Sequence, residues 1–210
     1  MYFEYGNKEI EYLKKGDKLL GAAIDQIGHI YREVNTDVFS SIVRHIIGQQ
    51  ISTSAQATIW QRLRDRIGAV NPDTIYSIEL NELQQIGITF RKAGYIKDLA
   101  EKVRNKEFDI NSINDLPDEE VIRKLTTLKG VGIWTAEMLM IFCLQRPDVV
   151  SFGDLAIHRG MRMLYHHESI NREMFEKYRK SYSPYGTVAS LYLWAIAGGA
   201  IPGMKGDNEI

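Results

Sequence analysis

The sequence predicts an all-α fold, on three observations. Apolar residues recur at helical spacing in nearly every segment, helix-start chemistry precedes several of those segments, and no alternating run reads as a strand. At 210 residues with 44% apolar content, the chain can bury one substantial domain or two small helical lobes.

Along the chain, the stretch from Tyr2 to Lys18 is charged throughout, unlike a signal peptide, and no apolar run reaches bilayer length. A soluble, intracellular protein is expected, with helices also within 1–35. Phe39, Ile42, Val43 and Ile46 share one face of a helix over 38–47. Thr53 with Gln56 has the form of a capping box opening a helix over 53–66. Between these two helices lies the polar link Gly48-Gln49-Gln50-Ile51-Ser52. Helices follow over 81–85, 90–105 and 118–127, the last opened by Pro117 and three acidic residues. The runs 133–144 and 188–197 are apolar nearly all round and read as central buried helices. Between them, 155–164 and 172–182 are amphipathic, and 203–210 is expected to fray.

Charge and cysteine content narrow the chemistry. Lysine and arginine total 26 against 27 acidic residues, so the net charge of −1 is no global signature of a polyanion partner, although a local basic patch would suffice. Cys143 is the single cysteine, which excludes an intrachain disulfide and any four-cysteine iron-sulfur or zinc site; it reads as a small buried hydrophobe.

The most informative segment is Leu128-Lys129-Gly130-Val131-Gly132-Ile133-Trp134-Thr135-Ala136. Two glycines one residue apart permit a tight turn and leave no side chain between the backbone and an approaching ligand. The helix behind them offers unpaired N–H groups and its positive dipole end to a phosphate. The plain alternative is an ordinary helix-helix turn. The longer string Leu-x-Gly-Val-Gly-x-x-Thr-Ala resembles the helix-hairpin-helix of the DNA glycosylase superfamily. The resemblance implies a two-lobed helical bundle with the active site in the cleft between lobes, here 36–116 and 117–200 with the first 35 residues added to the second. It also implies a structural sodium or potassium ion on the carbonyls of Thr126, Leu128 and Val131, with Lys129 and Val131 among the DNA-contacting residues. Lys129 stands where the family usually has proline.

Downstream, Gly153 and Asp154 immediately precede an amphipathic helix. By itself Asp154 is an N-cap. The superfamily resemblance implies more, because its catalytic aspartate starts the helix after the one that follows the hairpin. Asp148 is the rival carboxylate and is expected only to bound the loop. One carboxylate can suffice for alkylated purines, which carry a positive charge and leave easily. The fixed anion then stabilises charge developing on the deoxyribose, and can take a proton from the attacking water. Superfamily members that also cut the strand carry a lysine nucleophile two residues past the second glycine. That position is Trp134, whose ring either stacks on an extruded cationic base or fills the core.

These features resemble the 3-methyladenine DNA glycosylase II (AlkA-type) group over about 37–199, in a compact form without the N-terminal β-domain of some members. The resemblance implies a monofunctional, monomeric enzyme that excises alkylated purines from double-stranded DNA, with no cofactor required. Trp134, Tyr185 and Met138 would line the base pocket. Gln49, Gln50 and Ser52 would touch the minor groove, or be only a polar link. Phe90 would be the wedge entering the base stack with Arg91 and Lys92 on phosphates, or be simply buried. His158 and Arg159 would decorate their helix. The rivals are a glycosylase for another damaged or mismatched base and a non-catalytic hairpin module.

Overall fold

A computed structural model describes residues 1–204, so 205–210 of the expected tail lie outside the described residues. The helices run α1 (Asn7–Gly16), α2 (Lys18–Ile27), α3 (Val38–Gly48), α4 (Thr53–Ile67), α5 (Pro72–Ser77), α6 (Leu80–Gln85) and α7 (Phe90–Arg104). A 3-10 turn over Asn111–Asp115 precedes α8 (Asp118–Leu125), α9 (Ile133–Phe142), α10 (Leu155–Tyr165), α11 (Arg172–Tyr182) and α12 (Gly186–Ala197). Among the described residues the β-type pairing is one isolated antiparallel bridge between Tyr2 and Glu33. No helix among them is long and apolar enough to cross a membrane.

The helices form two compact units. One is Asn35–Leu144, and the other joins Met1–Val34 to the chain from Gln145 onward. The division therefore falls at 144/145 and not at the expected 116/117. The reason is local: the side-chain amide of Gln49 donates to the Gly130 carbonyl, Lys129 pairs with Asp98, and α9 packs on α3. These contacts hold the hairpin to the helices that precede it.

In the Asn35–Leu144 unit, α9 carries Thr135, Ala136 and Met138 to Ile141 as one buried run. Each large aliphatic side chain so buried contributes about 1.5–3 kcal/mol. Cys143, just beyond α9, is buried as expected; burial pushes its thiol up to about 11, so it stays a neutral filler. The cap of α4 is Ser52, whose hydroxyl accepts the Ala55 N–H. Thr53 is therefore the first helical residue, and Gln56 reaches back to the Arg44 carbonyl in place of the expected box.

The other unit is built around α12, which is buried along its length from Gly186 to Leu193. Two of its buried residues are polar, and both are satisfied. Thr187 accepts the Val149 N–H and donates to the Arg146 carbonyl, and Ser190 donates to the Val149 carbonyl. They pin the segment that leads to α10. The pairing of α10 with α12 depends on Gly160, where an added Cβ would stand 2.2 Å from the Leu193 carbonyl oxygen. Only a glycine lets the two backbones approach that closely. Asp17 caps α2 through Oδ1 and accepts the Tyr165 hydroxyl on Oδ2, tying α10 to α2. Tyr165 in turn meets the Tyr182 hydroxyl at 2.7 Å, and burial drives both phenols' pKa upward, keeping them protonated.

Candidate active site

Asp154 precedes α10 in extended conformation and is 7% exposed. Its Oδ1 accepts the N–H groups of Ala156 and Ile157 at 2.9 Å each, so it is the N-cap that an aspartate before an amphipathic helix predicts. A third donor reaches the same oxygen: the indole N–H of Trp194, on α12, at 3.2 Å. The carboxylate is thus fixed from two helices that Gly160 allows to lie close together. A buried, oriented anion at the positive end of a helix is chemically suited to stabilise a cation developing beside it. Leu155 next to it is 87% exposed, so the helix opens at the protein surface.

Trp194 was not legible as a site residue, because it falls inside an apolar run that reads as core. The available signal is that a tryptophan in a buried helix must place its N–H on some acceptor. Asp148 also differs from expectation. Its Oδ1 accepts the Gly186 N–H at 3.0 Å and its Oδ2 accepts the Ser183 hydroxyl, so it holds the corner at which α12 begins instead of merely bounding a loop. Tyr185 sits at that corner, half-buried, with the ring of Tyr12 edge-on at 5.1 Å. His158 is no surface decoration: its Nε2 faces the Phe152 carbonyl at 2.8 Å and its ring stacks on Phe175.

The hairpin lies in the other unit. α8 ends at Leu125 with Thr126 as its C-cap, the Val131 N–H donates to the Leu128 carbonyl, and α9 begins after Gly132. The two glycines do different things. Gly130 has φ +81°, and an added Cβ would meet the Tyr95 ring at 2.4 Å, so it is required by the turn. Gly132 has an ordinary φ of −93°, is exposed, and has no atom within 4 Å of an added Cβ. It leaves the start of α9 open to a phosphate. Of the three carbonyls expected to hold a cation, that of Leu128 accepts one N–H and retains a second lone pair. Trp134 is 43% exposed, which rules out simple core filling, while Met138 is buried at 4%.

Several residues expected to face DNA face the protein. Lys92 donates to the carbonyls of Ile47 and Gln49 at 2.8 and 2.6 Å, and burial together with Arg91 lowers its pKa. It ties the link to α7. Gln49 spends its amide on Gly130, and Ser52 caps α4. Lys129 forms an ion pair with Asp98. Gln50, at φ +58°, and Arg91 are exposed. Phe90 is 51% exposed at the start of α7, so the buried alternative fails.

Similarity to known proteins identifies the family. Residues 43–184 match the model of the HhH-GPD superfamily of base excision DNA repair proteins. DNA-3-methyladenine glycosylase 1 of Schizosaccharomyces pombe is 31% identical over 165 residues, covering 74% of this chain and 71% of that protein. The crystal structure of a DNA-3-methyladenine glycosidase from Bacillus halodurans superposes with a TM-score of 0.84 at 34% identity, covering 94% of this chain and 93% of the other. A 3-methyladenine DNA glycosylase of S. pombe in complex with abasic DNA gives 0.74 at 26% identity, over 90% and 96%. The matched span contains the hairpin, the buried helix behind it and the capping aspartate, and the chain belongs to the HhH-GPD superfamily of base excision DNA repair proteins.

Proposed function

We propose that this chain is a monofunctional DNA glycosylase that flips alkylated purines of the 3-methyladenine and 7-methylguanine class out of double-stranded DNA and excises them by hydrolysis. The observation that carries the reading is the Asp154 carboxylate, buried and held on Oδ1 by three N–H donors. Relatives named for 3-methyladenine support the substrate class. In the reaction the glycosidic bond breaks with its electron pair passing to the already cationic base. Positive charge grows on the deoxyribose, and Asp154 stabilises it by proximity. Water then adds to the anomeric carbon and gives its proton to Asp154.

Trp134 stands in the lysine position of the strand-cutting enzymes, and an indole forms no Schiff base. The product in this reading is an intact strand with an abasic site. The half-exposed ring offers a face to a cationic purine, with Tyr185 as second aromatic wall and Phe90 as wedge. A monovalent ion on the carbonyls of Thr126, Leu128 and Val131 would brace the hairpin without taking part in chemistry. In this reading the acting form is a monomer.

The test is incubation of the protein with methylated DNA, followed by chromatography of free bases and counting of alkali-labile sites. Release of 3-methyladenine and 7-methylguanine is expected. Release of only hypoxanthine or ethenoadenine from matched substrates overturns the alkylpurine assignment, and release of no base from any of them overturns the glycosylase reading.

A further inference from the structure

A groove with charged and aromatic side chains in its wall lies in the Asn35–Leu144 unit. It has a volume of about 720 Å³ and is lined by Asp37, the cap of α3, Ser40 and Arg44 along that helix, Trp60 and Arg64 from the later half of α4, and Asn71. That volume is within the usual range of small-molecule sites. None of its lining residues is among those assigned above to lesion binding.

Its two cations are distinctive. Arg66 and Arg104 of the same unit are paired with Glu82 and Asp73. Arg44 and Arg64 make no ion pair or side-chain hydrogen bond among the described residues. Arg44 is instead held over the Trp60 ring at 5.7 Å, and Arg64 follows Trp60 by one helical turn on the same face. Two planar guanidinium forks beside an indole suit a phosphate carried on an aromatic body. The wall also contains a carboxylate, Asp37, whose Oδ1 caps α3. An acidic wall disfavours a bare anion and favours a ligand that brings N–H donors opposite its phosphate, as a guanine edge does.

We propose that this groove binds a purine nucleoside monophosphate, with Arg44 and Arg64 on the phosphate, Trp60 against the base and Asp37 on its N–H edge. The same chemistry is presented by the free nucleotide and by a 5′-phosphorylated strand end. The test uses the full chain and isothermal titration with deoxyguanosine monophosphate, deoxyguanosine and inorganic phosphate. One saturable site for the monophosphate is expected, with each fragment at least about tenfold weaker. Arg64→Ala should lose about tenfold or more in affinity with an unchanged melting temperature, and Arg44→Ala should lose as much affinity with at most a small drop in melting temperature from its lost contact with Trp60. A blunt duplex ending in guanosine, with and without its 5′-phosphate, is added as competitor. Displacement by the phosphorylated duplex alone identifies a strand end as the occupant, and displacement by neither identifies the free nucleotide. No saturation by about 5 mM monophosphate, equal affinity for inorganic phosphate, or unchanged binding by the Arg44→Ala/Arg64→Ala double variant each overturns the assignment.

Discussion

Replacing Asp154 by asparagine removes a charge and almost no volume. Asparagine is as good an N-cap as aspartate, and its amide oxygen can take over the three donors now on Oδ1, from Ala156, Ile157 and Trp194. Stability should change little. Catalysis should change greatly: a unit charge about 4 Å from a developing cation is worth about 4 kcal/mol at an effective dielectric near 20. The three donors draw off part of that charge, so about 3–4 kcal/mol is expected, or about 150-fold to about a thousand-fold in rate. The assay is single-turnover release of 7-methylguanine with enzyme in excess, alongside affinity for abasic duplex and thermal melting. A variant with wild-type melting and a rate within about threefold of wild type would refute the assignment of Asp154. Asp154→Ala provides the contrast, because it orphans three donors and should cost about 1–3 kcal/mol of stability as well.

Four further outcomes follow from the geometry. Gly132→Ala should melt like wild type yet bind damaged and undamaged duplex equally less well, with a weaker salt dependence, whereas Gly130→Ala should lose about 1–2 kcal/mol or more of stability from its positive φ and the Tyr95 contact; a change in lesion preference alone would show that the turn is no phosphate clamp. Trp134→Ala should slow 7-methylguanine release by about 1–3 kcal/mol without weakening abasic binding, Trp134→Phe should recover part of it, and borohydride should trap no covalent complex with the wild-type protein. Asp148→Asn should destabilise by about 1–3 kcal/mol in urea titration because it disturbs the Ser183–Gly186 corner, and an unchanged midpoint would show the corner is held otherwise. His45, on the last turn of α3, has its pKa lowered to about 4 by burial and by Arg44; being neutral in the fold and ordinary at 6.5 when unfolded, it should withdraw stability as pH falls from about 6.5 to about 4, and His45→Gln should flatten that part of the profile.

Legibility in the sequence followed the range of the interactions. The helices over 133–142 and 186–197 were readable because they are apolar all round, and Asp154 because cap chemistry is local. Helices were expected within 1–35 without bounds; α1 lies in a charged stretch with Leu13 as its one buried anchor, and it depends on packing against α2, α11 and α12. Lys92 and Gln49 read as DNA ligands because a solvated amine or amide is the default. The carbonyls that claim them, on Ile47, Gln49 and Gly130, become neighbours only in the folded chain. Trp194 and Asp154 are forty positions apart, and nothing in either local pattern announces the other.

The unit that carries Asp154 is discontinuous: its first two helices precede Asn35–Leu144 and the rest follows it. On a ribosome the middle unit emerges whole and can condense by itself, while α1 and α2 wait for α10, α11 and α12, the partners against which they pack. The long sequence separation makes closure of that unit the slower event. The indole that orients the Asp154 carboxylate is in α12, so a nascent chain can complete the hairpin of the middle unit before that carboxylate has its third donor.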